Sequence, residues 1–176
     1  AIPIRASKSI DTGNNNNWIF STPRQLSGRV YSDRGTTPAG AGEVVRIARN
    51  GTVLTSKTTA SDGTFAFTDI DLAPGDALLV YLDDSQIQGN VVTTGFSGDV
   101  SNLDIYGHAV ITRHEGTDPL ELATFQTAAG TLQDPDILWT GIEGSVILDN
   151  ATDFVLWSNS TLHALDELSV QSLIVQ

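Results

Sequence analysis

The sequence predicts a mainly β protein: an antiparallel β-sandwich with one short helix and a further β region towards the C-terminus. Two observations indicate this class. Gly, Ser, Thr, Asn and Asp are abundant while Lys and Glu are scarce, a composition that favours strands and turns over helices. Short apolar runs with β-branched residues also alternate with turn residues. At 176 residues, the chain is long enough to bury a hydrophobic core without disulfides, and it contains no cysteine.

Residues 1–25 are predicted to form an N-terminal arm or connector. Four consecutive asparagines at 14–17 are typical of a turn, because asparagine tolerates left-handed backbone and bonds its own main chain. The stretch DTGNNNNWIF at 11–20 resembles a connector between modules of very large, repetitive bacterial surface proteins. The alternative is a surface loop followed by one apolar strand. Since Ala1 is not an ordinary translation start, we expect either a removed signal peptide or a longer parent chain.

Residues 26–112 are predicted to form the sandwich domain. Alternating apolar residues in 26–33 and 43–49 predict two strands, separated by a loop rich in glycine. Asn50-Gly51 then leads into 52–58, and Asn-Gly between alternating strands is a strong hairpin signal. The remaining predicted elements of this domain are a turn at Asp62-Gly63, a strand that places Phe65 and Phe67 on one face, a turn at Pro74-Gly75-Asp76, a strand at 77–82, and one or two strands at 103–114 interrupted at Gly107.

The order of these motifs resembles that of the carboxypeptidase regulatory-like domains, which are transthyretin-like β-sandwiches similar to the B-type repeats of bacterial adhesins. The motifs concerned are Gly28-x-Val30, Val44-Val45, Asn50-Gly51, D-G-x-F-x-F at 62–67, Leu72 and Gly75. The resemblance covers about a third of the chain and implies a stalk, spacer or interaction module without catalytic residues. Some adhesin relatives form a Lys–Asn isopeptide bond. Because Arg29 stands where their lysine lies, the resemblance implies no such bond here.

Residues 113–176 are predicted to contain a short helix and a C-terminal β region. Asp118 as N-cap, Pro119 as first helical residue and Glu121 at the third position predict a helix that runs to about Ala129 and stops at Gly130. Its apolar face would carry Leu122, Phe125 and Ala129. Beyond it, turns recur at intervals of nine and then eight residues, which suits either β-hairpins or the rungs of a β-solenoid.

Charge is divided unevenly along the chain. Residues 1–57 hold eight of the nine basic residues and three acids, whereas residues 58–176 hold eighteen acids and one base, Arg113, so a charge of +5 and one of −17 sum to −12. Because 58–112 contains no Lys or Arg, nucleic-acid binding is excluded. No apolar run approaches the roughly 18 residues that a membrane span needs, which predicts no membrane insertion.

Catalytic motifs are missing from the sequence. It contains no G-x-S-x-G, no phosphate-cradling loop and no dinucleotide fingerprint, so we expect no enzyme activity. His108 and His114 share strand parity and Glu115 follows, but there is no H-E-x-x-H, and a transition-metal site is not expected. The three tryptophans lie in apolar runs, which favours core packing over a sugar-stacking platform.

Acidic residues offer the better metal candidate. Asp69, Asp71, Asp83 and Asp84 lie in one stretch of sequence, and calcium prefers clustered carboxylates with loop carbonyls. The stretch matches no EF-hand or nonapeptide repeat. Carboxylates that are solvated at the surface are the other interpretation, so the expected cofactor is either none or Ca²⁺.

Two functions are compatible with these observations. The first is a non-catalytic structural module of an extracellular surface protein or fibre that assembles head-to-tail with copies of itself or neighbouring modules. Its assembly residues would be Ile2, Ile4, Arg5 and Lys8, on an N-terminal strand that pairs with an open sheet edge. A frayed or linker-bound terminus is the alternative. The second function is a secreted or cell-surface adhesion module that binds carbohydrate or protein, assisted by calcium.

Overall fold

The structure is a computed structural model that describes residues 4–10, 12–14, 16–142, 145–149, 151–163, 168–170 and 172–176. This part of the chain is mainly β, with a single α-helix, α1 (Leu122–Ala129). The strands are β1 (Ile4–Ser7), β2 (Trp18–Tyr31), β3 (Val44–Arg49), β4 (Thr52–Thr58), β5 (Thr64–Leu72), β6 (Leu78–Asp83), β7 (Gly89–Thr94), β8 (Ile105–Tyr106), β9 (Ala109–His114), β10 (Leu120–Glu121), β11 (Trp139–Ile142), β12 (Ser145–Leu148), β13 (Asp153–Leu156), β14 (Leu162–His163), β15 (Leu168–Ser169) and β16 (Ser172–Val175).

One seven-stranded sheet organises the molecule, in the order β16-β13-β9-β7-β6-β3-β4. A four-stranded sheet contains β1-β2-β5, with β8 also paired to β2, and two small sheets contain β10-β14 and β11-β12-β15. The predicted mainly β class with one short helix is confirmed. The sheets are mixed, however, because β7 and β9 are parallel, as are β9 and β13. Two neighbouring strands that run parallel need a long connection between them, and residues 95–108 form this connection between β7 and β9.

The hairpin predicted at Asn50-Gly51 is confirmed. Asn50 has φ 48° and Gly51 has φ 72°, so both central residues are left-handed, as the twist-matched two-residue turn requires. The turn packs on the end of α1, where the Gly51 N–H donates to the Ala128 carbonyl at 3.1 Å. A Cβ added to Gly51 would lie 2.5 Å from Cα of Gly130, so this close approach also requires glycine.

The hydrophobic core has two layers, one on each face of the seven-stranded sheet. Strand β6 shows how they are built: Leu78, Val80 and Leu82 enter the layer facing the four-stranded sheet, whereas Leu79 and Tyr81 enter the layer beneath α1. A strand buried on both faces is a continuous apolar run rather than an alternating one. The Phe65 and Phe67 rings share the first layer, 5.9 Å apart, as their spacing predicts.

The helix begins later than the sequence predicts. Leu120 and Glu121 form strand β10, which pairs in parallel with β14, and the helix starts only at Leu122. Glu121 is therefore the extended N-cap residue, and it makes no side-chain capping bond. The predicted start at Asp118-Pro119 is wrong, because burying Leu120 in a strand pairing outweighs the local capping signal. The helix ends before Gly130, as predicted.

The C-terminal region contributes to the main sheet. Strands β11 and β12 form an antiparallel hairpin, one of the two arrangements that the sequence leaves open. Strand β13, in contrast, pairs in parallel with both β9 and β16. The seven-stranded sheet therefore takes strands from both sides of the boundary predicted at residue 112, and β2 spans the boundary predicted at residue 25.

Candidate functional site

The N-terminal strand β1 lies at the edge of the four-stranded sheet, outside the core. It runs parallel to the beginning of β2, with Ile4 opposite Trp18 and Ser7 opposite Ser21. Neither hydrophobic cluster includes any described residue between 4 and 25. Ile4 is 55% exposed and Trp18 is 45% exposed. Polar contacts and strand pairing, rather than core packing, therefore hold β1 in place.

The principal contact is an ion pair between Arg5 and Asp76. The Arg5 guanidinium donates to both carboxylate oxygens of Asp76, at 3.0 and 2.5 Å. Asp76 is only 3% exposed and also accepts bonds from the Ala73 N–H at 2.7 Å and from Nδ2 of Asn50 at 2.8 Å. Burial raises the pKa of Asp76, but the bonds from Arg5, Ala73 and Asn50 outweigh it, and the pKa lies below its usual value.

A second contact joins β1 to β5. Oγ of Ser7 donates to a carboxylate oxygen of Asp71 at 2.5 Å, and Nη1 of Arg49 donates to the Asp71 carbonyl at 2.6 Å. Two aspartates from the acidic part of the sequence therefore hold the basic N-terminal strand. Arg5 is one of the predicted assembly residues, and in this arrangement it contacts Asp76 of its own chain.

The segment between β1 and β2 carries several left-handed residues. Lys8, Asn14 and Asn17 have φ values of 55°, 61° and 63°, and Gly13 has φ 95°. Asparagine and glycine tolerate this backbone, whereas lysine adopts it at a cost. Lys8 is exposed and makes no ion pair with any described residue. Of the predicted assembly residues, Ile4, Arg5 and Lys8 thus lie on or directly after β1, and Ile2 falls outside the described residues.

The predicted calcium ligands do not come together. Asp71 and Asp69 both belong to β5: Asp71 accepts the Ser7 hydroxyl of β1, and Asp69 is exposed, with φ 59°. Of the four, Asp83 alone belongs to an acidic cluster in the described part of the chain, in which its carboxylate lies with those of Asp134 and Asp136, all within 4.8 Å of one another. Asp84 contributes its backbone N–H to Asp136, at 2.7 Å. Asp134 and Asp136 are not among the predicted ligands, because their only signal in the sequence is their spacing around Pro135.

Arg46 neutralises much of this acidic cluster. It forms ion pairs with Asp83 and, at 3.5 Å, with Asp134, which also accepts a bond from the Tyr81 hydroxyl at 2.9 Å. Burial raises the pKa of Tyr81 to about 12. Burial also raises the pKa of Asp83, and the neighbouring carboxylates add to this effect while Arg46 opposes it. The cluster has the oxygen ligands that a hard cation prefers, but a guanidinium already supplies positive charge.

We expect the Arg46→Gln variant to lose about 1–2 kcal/mol of stability and to acquire a response to calcium, because three adjacent carboxylates then lack a counter-charge. Scanning calorimetry with and without millimolar calcium measures both effects. Arg29→Gln is the matched control, since the Arg29–Asp62 pair is exposed on both sides and contributes little. A wild-type melting temperature that rises with calcium would contradict this interpretation and would favour the calcium-assisted adhesion module.

The histidines and tryptophans lie apart from one another. Nδ1 of His114 accepts a bond from the Gly116 N–H at 2.8 Å, whereas His163 faces Glu121 at 3.3 Å. In the described ranges, no histidine belongs to a group that could hold a metal. Trp139 packs edge-on against Phe125 in the core, as the sequence predicts, and Trp157 lies beside Arg113. Core packing is wrong for Trp18, which is 45% exposed and lies outside both core layers. A shared platform of tryptophans is therefore not formed.

A shallow groove of about 740 Å³ lies beside β2, β4 and β5. Its lining includes Arg29, Tyr31, Lys57 and Asp104 together with several threonine hydroxyls. Asp104 accepts a bond from the Arg29 backbone N–H at 2.9 Å, and burial raises its pKa. Donors, acceptors and two aromatic residues, Tyr31 and Phe65, along an open groove are features that suit a polar ligand such as a carbohydrate.

Comparisons with protein-family models, with curated proteins and with solved structures find no match to this chain. The resemblance to transthyretin-like adhesin modules therefore stays a prediction. The one helix in the described part of the chain falls short of the length and hydropathy that a bilayer crossing requires.

Proposed function

We propose that the chain is a non-catalytic structural module of an extracellular surface protein or fibre, and that it assembles head-to-tail through its N-terminal strand. The position of β1 supports this proposal. It is attached by the Arg5–Asp76 and Ser7–Asp71 contacts and adds nothing to either core layer. A strand attached in this way is able to leave its sheet without dismantling the core. The partners are copies of the chain or neighbouring modules.

The distribution of ion pairs supports the same proposal. Arg29, Arg34 and Arg46 each pair with an acid of the C-terminal part, namely Asp62, Asp153 and Asp83. With Arg5, four of the eight basic residues of 1–57 thus form ion pairs with acids of 58–176 in the described part of the chain. The Arg5–Asp76 pair differs from these three because its basic partner is on a peripheral strand. Its basic partner can therefore be replaced by that of a neighbouring molecule without moving a residue of either core layer.

Sedimentation velocity tests the proposal. The wild-type chain is expected to form heavier species as its concentration rises, whereas Arg5→Glu stays monomeric because its strand can no longer pair with Asp76. Arg34→Glu is the matched control: Arg34 also makes a two-bond contact with an aspartate, at 2.6 and 2.9 Å, but far along the chain from β1. Wild-type protein that is monomeric at all concentrations, or Arg5→Glu that associates like wild type, would overturn the proposal.

The groove beside β2, β4 and β5 favours one second candidate, an adhesion module that binds carbohydrate. Arg29 and Lys57 would then contact the hydroxyl or carboxylate groups of a glycan, and Tyr31 would stack on a sugar ring. Screening the full chain against a glycan array, followed by calorimetric titration of any glycan that binds, tests this candidate. Loss of binding in Tyr31→Ala with unchanged sedimentation would support adhesion, and no binding to any glycan would exclude the carbohydrate version.

A further inference from the structure

We propose that the edge of β2 at Trp18–Ser21, together with Asp76 and Asp71, is an acceptor site that β1 of a second copy of the chain occupies in place of the chain's own β1. This inference rests on the proposed function and specifies its contact. In the closed arrangement the site holds the chain's own β1, and after exchange it holds β1 of a second copy. Only the chain that donates the strand changes. Every contact of β1 described above then becomes a contact between molecules.

The acceptor site selects a particular strand. The buried carboxylate of Asp76 accepts bonds from both Nη atoms of one guanidinium. This bidentate, charge-assisted contact is directional, and lysine cannot reproduce it. Two residues after Arg5 on β1, the Ser7 hydroxyl donates to the carboxylate of Asp71. The backbone of β2 supplies the parallel pairing that gives affinity in strand addition. The site therefore fits an extended Arg-x-Ser segment, and β1 of another copy carries it.

Asp76 is held in position by contacts that do not involve β1. Its carboxylate accepts bonds from the Ala73 N–H and from Asn50. Asn50 is itself fixed by two bonds with Ala77: the Ala77 N–H donates to Oδ1 of Asn50 at 2.8 Å, and the Asn50 N–H donates to the Ala77 carbonyl at 2.9 Å. If β1 leaves, a buried carboxylate stays in place without its counter-charge. Such a group strongly favours binding of a guanidinium, either from Arg5 of the same chain or from Arg5 of a second copy.

The segment at residues 8–17 suits a hinge. In the closed arrangement β1 and β2 run parallel, and among the described residues that connect them Lys8, Asn14 and Asn17 have left-handed backbone. When β1 is donated to a neighbour, the same ten residues are free to extend to about 33 Å, and Lys8 is free to leave its unfavourable conformation. Strained connections of this kind promote the exchange of elements between identical chains.

Mass action decides which chain fills the site. A strand tethered by a short flexible segment has an effective concentration in the millimolar range, so an isolated dilute molecule keeps its own β1. Crowding of copies along a surface or fibre raises the concentration of neighbouring strands and favours exchange. The site is thus closed in dilute solution and becomes a link between copies where they are concentrated or densely arranged.

Disulfide trapping in the full chain tests the exchange, because the protein has no cysteine of its own. Ile4 and Trp18 are paired neighbours and both are exposed, so Ile4→Cys and Trp18→Cys are placed for a disulfide only when β1 occupies the site. The two single variants are mixed at high concentration and oxidised mildly. We expect more disulfide-linked heterodimer of the two variants than random pairing of the chains produces. A mixture of Ile4→Cys with Val53→Cys, an exposed residue of β4, measures the random level.

The double variant Ile4→Cys/Trp18→Cys supplies a second readout. Oxidation of dilute protein locks β1 into its own chain, and the locked protein is expected to stay monomeric where reduced protein associates. Heterodimer at the random level, or association of the locked protein, overturns the exchange. If wild-type protein still associates in that case, the structural-module part of the proposed function stands, but assembly through the N-terminal strand does not. If wild-type protein never associates, the proposed function fails as well.

Discussion

Replacing Asp76 with alanine is expected to lower the free energy of unfolding by about 3–4 kcal/mol. Asp76 is 3% exposed and accepts bonds from Arg5, Ala73 and Asn50. Removing one partner of a buried ion pair costs about 3–5 kcal/mol, and the donors of Arg5, Ala73 and Asn50 are left without a partner in the variant. The loss would affect three parts of the fold together: the N-terminal strand, the turn at 73–76 and the hairpin turn at Asn50.

Urea unfolding of the full chain measures this effect. Asp99→Ala is the matched control, because Asp99 is an exposed aspartate that accepts one bond, from the Gln25 N–H at 2.9 Å, and its loss is expected to cost less than about 1 kcal/mol. Arg5→Gln is expected to fall between the two, since it removes only the β1 contact. Equal stabilities for Asp76→Ala and Asp99→Ala would show that Asp76 does not organise this region.

The contribution of Asp76 is also expected to depend on pH. Its pKa in the folded protein lies below its ordinary value of 3.8, so the folded state favours the charged form. A lowered carboxyl pKa stabilises the protein fully above the ordinary pKa and loses that effect as pH falls through the folded pKa. The difference in stability between wild type and Asp76→Ala should therefore be constant near neutral pH and shrink below about pH 3.8. A difference that grows with acidification would contradict this assignment.

The second large effect is expected for Phe154→Ala, at about 3–5 kcal/mol. Phe154 is fully buried on β13, and its ring lies 6.0 Å from that of Phe125 in α1. Removing the ring leaves a cavity between the main sheet and the helix. Because β13 is hydrogen-bonded to β9, we expect one cooperative unfolding transition that moves as a whole to lower denaturant.

Leu173→Ala is the matched control for Phe154→Ala. Leu173 is the partner of Phe154 on β16, but its side chain is 59% exposed, so its truncation is expected to cost less than about 1 kcal/mol. Two separate transitions, with only one shifted by Phe154→Ala, would show that residues 113–176 unfold independently of the sandwich. Fluorescence and far-UV circular dichroism, recorded together, distinguish the two outcomes.

Local signals in the sequence predict the local features of the fold. Asn50-Gly51 specifies its hairpin through two left-handed residues, Phe65 and Phe67 share a face through strand alternation, and Gly130 ends the helix. The start of α1 could not be predicted in this way. It depends on β10 pairing with β14, more than forty residues further along the chain, and no local motif encodes that pairing.

The candidate sites depend on long-range contacts in the same way. Asp134 and Asp136 reach Asp83 only because the segment after α1 returns to β6. The acidic stretch of the sequence around Asp83 therefore predicts only one of the three residues of the acidic cluster. Arg5 and Asp76 are 71 residues apart, and the charge asymmetry of the sequence predicts attraction between the two parts of the chain without naming the pair. The importance of the N-terminal residues could thus be anticipated, but their acceptor could not.

Electron microscopy of the full chain at high concentration tests the central claim most directly, which is that the N-terminal strand joins copies head-to-tail. Wild-type protein is expected to form linear arrays of repeating particles, and Arg5→Glu is expected to give single particles under the same conditions. Arg34→Glu should form the same arrays as wild type. Single particles for wild type, or identical arrays for wild type and Arg5→Glu, would contradict the claim.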